Sequence, residues 1–251
     1  MNVERFEIPG LAQYSYIVSD GGEAAVIDPI RDIERYVAYA GERSLRIVAI
    51  LETHIHADFA AGSVALAEAT GAPLCLSDYD AGELYQYAMP HRRLAHGDAV
   101  QIGSAHLEAI HTPGHTPEHL SFLLFASRAT PPLAMFSGDF LFAGSLGRPD
   151  LLGDDAKLGL AHALYRSLTV RLADLPDGLD VYPGHGAGSL CGSGMSGHAQ
   201  TTLGYERATN PFLRELVVAF GMTGYVALFD IAGSQVTIVA LRHQREDDFL
   251  Y

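Results

Sequence analysis

Glu52-Thr53-His54-Ile55-His56-Ala57-Asp58-Phe59 follows directly on the apolar run Arg46–Leu51 and leads into an alanine-rich stretch, Phe59 to Thr70, with helical character. The two histidines therefore stand where a buried strand ends and a helix begins. In extended backbone, side chains two apart share a face, so His54 and His56 can reach one point. Asp58 lies one turn further on. Neutral imidazole is the commonest protein ligand for a metal, and a carboxylate adds the charge that a divalent ion prefers. Taken alone, the same residues also read as a pair of surface histidines on a loop.

Three more stretches have the same build. Thr112-Pro113-Gly114-His115-Thr116-Pro117-Glu118-His119 places a tight Pro-Gly turn after a strand and puts His115 at its rim. His119 reads equally as a polar residue at the start of the next strand. Phe136-Ser137-Gly138-Asp139 ends an apolar strand with an acid, and Tyr182-Pro183-Gly184-His185-Gly186 ends another with a histidine. Ligand-capable residues recurring at strand ends are far more specific than any one of them.

The rest of the chain supplies the scaffold. Val3–Ile8, Tyr14–Ser19, Ala24–Asp28, Arg46–Leu51 and Leu74–Leu76 read as strands, as do Ala99–Ile102, Ala105–His111, Leu120–Phe125, Leu133–Ser137 and Asp180–Tyr182. Tyr225–Ile231 and Gln235–Leu241 add two more. Helical spacing covers Asp32 to Arg43, Phe59 to Thr70, Asp78 to Tyr87, Asp154 to Leu172 and Gly197 to Phe220. Strands come in two blocks, each followed by helices, which predicts two packed sheets with helices outside. No repeat or linker divides the chain, so one domain over 1–251 is expected.

Hydrophobic residues make up 48% and charged residues 18% of the 251 positions, enough apolar material for a large core. The net charge of -14 would repel a nucleic-acid backbone, so no nucleic-acid partner is expected, although a local arginine can still receive an anionic substrate. The only cysteines are Cys75 and Cys191, which suits a reduced, cytoplasmic setting better than a disulfide framework. The N-terminal text has no basic-then-apolar leader, and no stretch approaches the ~18 apolar residues of a membrane span. Assembly into a homo-oligomer is left open.

The order THxHxD, PGHT, SGD, PGH resembles the metallo-β-lactamase superfamily over nearly the whole chain, and Val26-Ile27-Asp28-Pro29 looks like its common strand ending. The resemblance implies an α/β fold, an αββα sandwich of two mixed sheets with a metal site at one edge. The usual motif continues with a histidine where this chain has Phe59. A phenylalanine cannot coordinate, which argues against a two-metal hydrolase with a bridging hydroxide. The wording around Glu52–Phe59, Gly138-Asp139-Phe140-Leu141-Phe142, Gly147-Arg148-Pro149-Asp150-Leu151, Tyr182–Ser189 and Leu203-Gly204-Tyr205-Glu206-Arg207 resembles persulfide dioxygenases, particularly those fused to rhodanese domains.

That narrower resemblance implies an oxidoreductase holding one Fe(II) on His54, His115 and Asp139, with zinc as a substitute. It would oxidise a low-molecular-weight persulfide, such as glutathione persulfide, with O₂ to sulfite and thiol. Two histidines and one carboxylate on one face of an iron leave positions open for substrate and O₂. His56, Asp58 and His185 would then orient ligands and water, with His56 near enough to ligate directly. The alternative is a zinc-dependent thiolester hydrolase of the glyoxalase II type, using a metal-bound hydroxide; a non-catalytic metal-binding scaffold is a third reading. The sequence up to Tyr251 has no room for a rhodanese domain, and the resemblance to the fused relatives does not extend to Tyr225–Leu241. Arg148 is a candidate clamp for a substrate carboxylate, or else a salt-bridge partner of Asp150 or another loop acid. Cys191, in a glycine-rich loop after His185, is a candidate thiolate near the metal, or else an inert buried thiol. Cys75 reads as core.

Overall fold

In the computed structural model, residues 1–243 are described except 9, 221–222 and 233–234, and 214–243 by their backbone alone. The first half of the chain runs β1 (Asn2–Ile8), β2 (Gln13–Asp20), β3 (Glu23–Ile27), α1 (Glu34–Glu42), β4 (Arg46–Leu51), α2 (Ser63–Thr70), β5 (Leu74–Ser77) and β6 (Arg92–Leu94). These strands form one mixed sheet in the order β1-β2-β3-β4-β5-β6, antiparallel up to β3 and parallel beyond it. The second half runs β7 (Ala99–Ile102), β8 (Ala105–His111), β9 (Leu120–Phe125), β10 (Ala134–Gly138), the small hairpin β11 (Leu141–Phe142) and β12 (Ser145–Leu146), α3 (Asp154–Arg166), β13 (Asp180–Pro183) and β14 (Thr201–Thr202). Its sheet has the order β14-β13-β10-β9-β8-β7, with β10 and β13 parallel. Two short helices, α4 (Leu203–Thr209) and α5 (Pro211–Arg214), precede a three-stranded meander of β15 (Glu215–Phe220), β16 (Thr223–Ala232) and β17 (Gln235–His243).

Period-two alternation sorts the central strands into separate cores. Tyr16 and Val18 of β2, Ala49 and Leu51 of β4, and Ala134 and Phe136 of β10 face the space between the sheets, together with Phe122 and Leu107. Their neighbours Ile17 and Ile50 turn outward to meet Tyr36 of α1 and Leu66 of α2. On the far side Met135, Leu123 and Val181 meet Leu164 of α3 and Leu203 of α4. Helix, sheet, sheet, helix is the αββα sandwich, and each fully buried Leu, Ile or Phe contributes about 1.5–3 kcal/mol. Among the described residues no helix is long and apolar enough to cross a membrane.

Several expected helices are shorter or absent. Residues 78–87 are irregular: Gly82 has φ +86°, and buried Asp80 accepts the Tyr87 amide at 2.9 Å, closing a loop where a helix would have run straight. Helix over 197–220 is confined to α4 and α5. Thr202 caps α4 by accepting from the Tyr205 amide, Pro211 follows the extended Asn210, and Glu215–Phe220, with Val217 and Val218 at its centre, pairs with β16 instead. α3 passes into a π-helical turn over Ser167–Arg171. α2 begins at Ser63, four residues later than Phe59. The strands β6, β11, β12 and β14, of two or three residues each, leave no periodic trace in the sequence.

The two sheets are tied together at the rim far from β4's end by Asp20. Its Oδ2 accepts from the Ser104 amide at 2.8 Å, the Ser104 hydroxyl at 2.7 Å and the Ala105 amide at 3.3 Å. The Ser104 donors in the main hold the carboxyl down at about 2. Asp20→Asn should cost on the order of 1 kcal/mol at neutral pH. The folded pKa is depressed, so the contribution is complete above the ordinary value of 3.8 and is lost as pH falls toward about 2. Urea unfolding of both proteins at several pH values checks this: the gap between them should narrow only below about pH 4.

Candidate metal centre

His54 follows β4, His115 follows β8 and Asp139 follows β10, so strand ends from both sheets deliver them to one point. All three are buried, and one ligand atom from each lies within 4.8 Å of the others. Asp139 Oδ2 stands 3.8 Å from His54 Nε2 and 3.4 Å from His115 Nε2. It is buried with no hydrogen-bond partner. An unpartnered carboxylate oxygen costs heavily in the interior; a cation among these three atoms would satisfy it.

The neighbouring groups fix which ring nitrogens are free. The Arg148 carbonyl can only accept, so His115 Nδ1, 3.0 Å away, carries the proton and Nε2 keeps its lone pair. Thr53 donates its hydroxyl to Asp28 Oδ2 at 2.8 Å, which leaves its oxygen to accept from His54 Nδ1 at 2.9 Å. His54 Nε2 is thereby free as well. Burial pushes both imidazoles below their usual range, His54 well below, so both are neutral donors of a lone pair. His119 accepts the Asp139 amide on Nε2 at 3.1 Å and bonds Thr112 Oγ1 through Nδ1 at 2.9 Å. Its role is to hold Asp139 in place.

His185 bridges two carboxylates, with Nδ1 2.7 Å from Asp139 Oδ1 and Nε2 2.8 Å from Asp58 Oδ2. Burial alone would push this imidazole down; Asp139 and Asp58 outweigh it and raise it to about 10. Burial would likewise raise the Asp139 carboxyl, but His185 and the other imidazoles hold it well below its usual value. Asp139 thus spends one oxygen on His185 and turns the other to the cluster. His56 is not one of the three clustered residues. Its Nε2 bonds Asp28 Oδ1 at 3.1 Å, while Nδ1 is buried without a partner. Burial opposes the charge on His56, yet Asp28 raises it to about 9.

Asp58, His185 and Cys191 form a second group of potential donors within 4.8 Å of one another. Both His185 nitrogens are already committed as donors to carboxylates, so a cation taken there by Nε2 would have to displace its short hydrogen bond to Asp58. The missing histidine is Phe59, whose ring packs on His56 with centroids 4.3 Å apart. Cys191 is buried, and burial, with Asp139 and Asp58 nearby, pushes its thiol up. The carboxylates beside it favour the neutral thiol, and the thiolate form expected from the sequence depends on a cation held nearby. Arg148 lies on the wall of the same cavity, but Nε and one terminal nitrogen engage Asp150 at 2.6 and 2.9 Å, which is the salt-bridge reading. Cys75 is buried in the core between the sheets.

A sequence profile of the Metallo-beta-lactamase superfamily matches residues 8–185. The chain belongs to that superfamily. A hydroxyacylglutathione hydrolase of Polaromonas sp. is 36% identical over 175 residues, covering 68% of this chain and 61% of the relative. A metallo-beta-lactamase structure from Staphylococcus aureus superposes with a TM-score of 0.77 at 40% identity, over 84% of this chain and 62% of that one. ETHE1 from Myxococcus xanthus gives 0.69 at 29% identity, over 84% of each chain. The chain thus spans under two thirds of the Polaromonas and Staphylococcus proteins. The supporting residues that the sequence names without assigning them a role at the centre are Asp28, Thr53, His119 and Glu118. Asp28 sits at φ +51°, a conformation Asp tolerates better than most side chains, and receives Thr53 and His56 together. Its signal was the Val-Ile-Asp-Pro strand ending. Glu118 accepts the Ile55 amide at 2.8 Å and pins the histidine loop, a contact that no spacing announces.

Proposed function

We propose that this superfamily member is a mononuclear non-haem iron persulfide dioxygenase. It would convert the terminal sulfur of a low-molecular-weight persulfide, with O₂ and water, into sulfite and release the thiol. The observation that carries the reading is the unpartnered Asp139 oxygen facing two freed Nε2 lone pairs, beside a second donor group that lacks a histidine at Phe59 and whose His185 donates both ring N–H groups to carboxylates. His54, His115 and Asp139 would hold the metal. Iron(II), when bound by two histidines and a carboxylate, supplies open positions where a persulfide sulfur and O₂ meet. The chain's own groups do the rest. Thr53 and the Arg148 carbonyl hold the two imidazoles in the ligating tautomer. His185 keeps a proton between Asp58, which lines the cavity, and Asp139. The cavity of about 520 Å³ in front suits a small organic molecule.

A second reading, a zinc-dependent thiolester hydrolase of the glyoxalase II type, is favoured by the name of the Polaromonas relative. Metal content and O₂ uptake separate the two. Protein purified without oxygen and loaded with Fe(II) should retain about one metal per chain and consume O₂ with glutathione persulfide, with sulfite formed in step. Two tightly held zinc ions per chain, with thiolester hydrolysis and no O₂ uptake, would replace the dioxygenase reading by the hydrolase one.

A further inference from the structure

The stretch Leu203-Gly204-Tyr205-Glu206-Arg207 puts no side chain on the cavity wall, yet it holds a fully buried acid. Glu206 Oε2 accepts from the Gly144 amide at 2.9 Å and from Asn210 Nδ2 at 2.7 Å, and Oε1 accepts from the Thr201 hydroxyl at 2.7 Å. All three donors are uncharged. A carboxyl buried this deeply is costly unless its oxygens are met, so its grip on these donors is firm. The helix that carries it is anchored in turn. Leu203 lies in the core under α3, and Arg207 donates to the carbonyls of Leu172 and Leu175.

What Glu206 grips is the strap 143–148, which runs through the β11–β12 hairpin. With two residues a side, that hairpin is too short to hold its own shape, so its place is set by what it bonds. Its turn is Gly144, at φ +79°, whose amide goes to Glu206; the next carbonyl, of Ser145, accepts from Asn210 Nδ2 at 3.2 Å. The other end of the strap touches two of the three clustered ligands. Gly147 lies flat on the Asp139 main chain, with no room for a Cβ, and the Arg148 carbonyl accepts from His115 Nδ1 at 3.0 Å.

We propose that Glu206 is a positioning residue of the metal centre. Held by α4, it places the strap; the strap places the Asp139 main chain and keeps the His115 proton on Nδ1, leaving Nε2 for the metal. This rests on the His54–His115–Asp139 centre and is independent of the reaction run there.

Two measurements test it, one without metal. A long-range ¹H–¹⁵N spectrum of the metal-free wild type should show His115 as the Nδ1–H tautomer alone, and Glu206→Ala should show both tautomers. Co(II), used as the probe metal, should bind Glu206→Ala about tenfold more weakly, the low end of what outer partners of metal ligands cost. Asn210→Ala loses the Ser145 bond but keeps Glu206 on Gly144, so it should fall between the two; it takes the place of Glu206→Ala if that protein does not fold. Glu206→Gln should recover most of the affinity, because its carbonyl oxygen can still take the Gly144 amide while the Thr201 hydroxyl turns to accept from the new NH₂. Asp20→Asn, at the far rim, weakens the fold without touching the strap and should leave tautomer and affinity as in the wild type. A wild-type tautomer and affinity in Glu206→Ala, or an equal loss in Asp20→Asn, overturns the inference. A wild type that takes up no Co(II) would remove the metal centre itself, while the His115 tautomer still decides whether Glu206 holds the strap.

Discussion

On the dioxygenase reading, Asp139→Ala protein should fail to hold the metal and lose more than about 100-fold of the O₂ uptake, beyond what loss of a merely orienting partner costs. The reason is that one carboxylate serves two masters. Oδ2 is the anionic member of the three-residue cluster, and Oδ1 accepts a hydrogen bond from His185 Nδ1. Removing it leaves a buried imidazolium with only Asp58, and breaking a buried pair from one side costs about 3–5 kcal/mol. Asp139→Asn keeps the volume and a neutral contact to His185, so it separates metal loss from unfolding. Metal analysis with a thermal melt on each variant gives the answer. Stoichiometric iron and full turnover in a folded Asp139→Asn protein would remove Asp139 from the metal site. His185→Gln should fall less, about 10–100-fold, with iron retained.

Gly147→Ala should be as damaging, although the residue carries no chemistry. Gly147 follows β12 and lies on the main chain of Asp139. A Cβ there would stand 1.7 Å from the Asp139 carbonyl oxygen and 3.1 Å from His115 Cβ. Neither neighbour is a flexible side-chain tip, so the strand end itself must shift. Overpacking of this kind costs about 1–3 kcal/mol or more. The expected result is weakened metal retention with a lowered melting temperature. Gly159→Ala, in α3 with open space around its Cβ position, is the control and should leave both unchanged or slightly raise stability. A Gly147→Ala protein with wild-type metal content and melting temperature would mean that the turn after Asp139 tolerates displacement.

The metal-facing residues were legible because each ends a strand, and strand ends are where period-two text stops and a turn signal begins. That punctuation marked His54, His56, Asp58, His115, Asp139 and His185 alike, and the two-sheet sandwich with them; the choice of His54, His115 and Asp139 among these came from the family resemblance. What stayed hidden had no periodic trace. The β11–β12 hairpin has two residues a side, and its stability comes from packing of Phe140, Leu141 and Phe142 into the core. The 78–87 segment carries apolar spacing that mimics a helix; a buried aspartate's bond to a distant amide overrides that local preference. Asp28 and Glu118 act by hydrogen bonds across 25 and 63 residues of chain, which only folding brings together. The charge state of Cys191 depends on neighbours from two other loops, so the position of the thiol could be read while its reactivity could not.

The donors of the centre are divided between the sheets. His54 belongs to the end of the first and His115 and Asp139 to ends of the second, with the Leu120 amide bonded to the Thr53 carbonyl at 2.7 Å and the Tyr14 amide to the Gly184 carbonyl at 2.7 Å along the same seam. A cation held there would act as a rivet between two half-structures, and its binding energy would become folding energy. By mass action the stabilisation would rise with the logarithm of free metal, reaching about 2.7 kcal/mol at a hundred times the dissociation constant. Amide exchange at Leu120 and Tyr14 should slow as metal is added, ahead of exchange in the outer strands β1 and β7. The chain would then report the metal supply of its surroundings through its own lifetime, because the metal-free form is the one that opens along the seam.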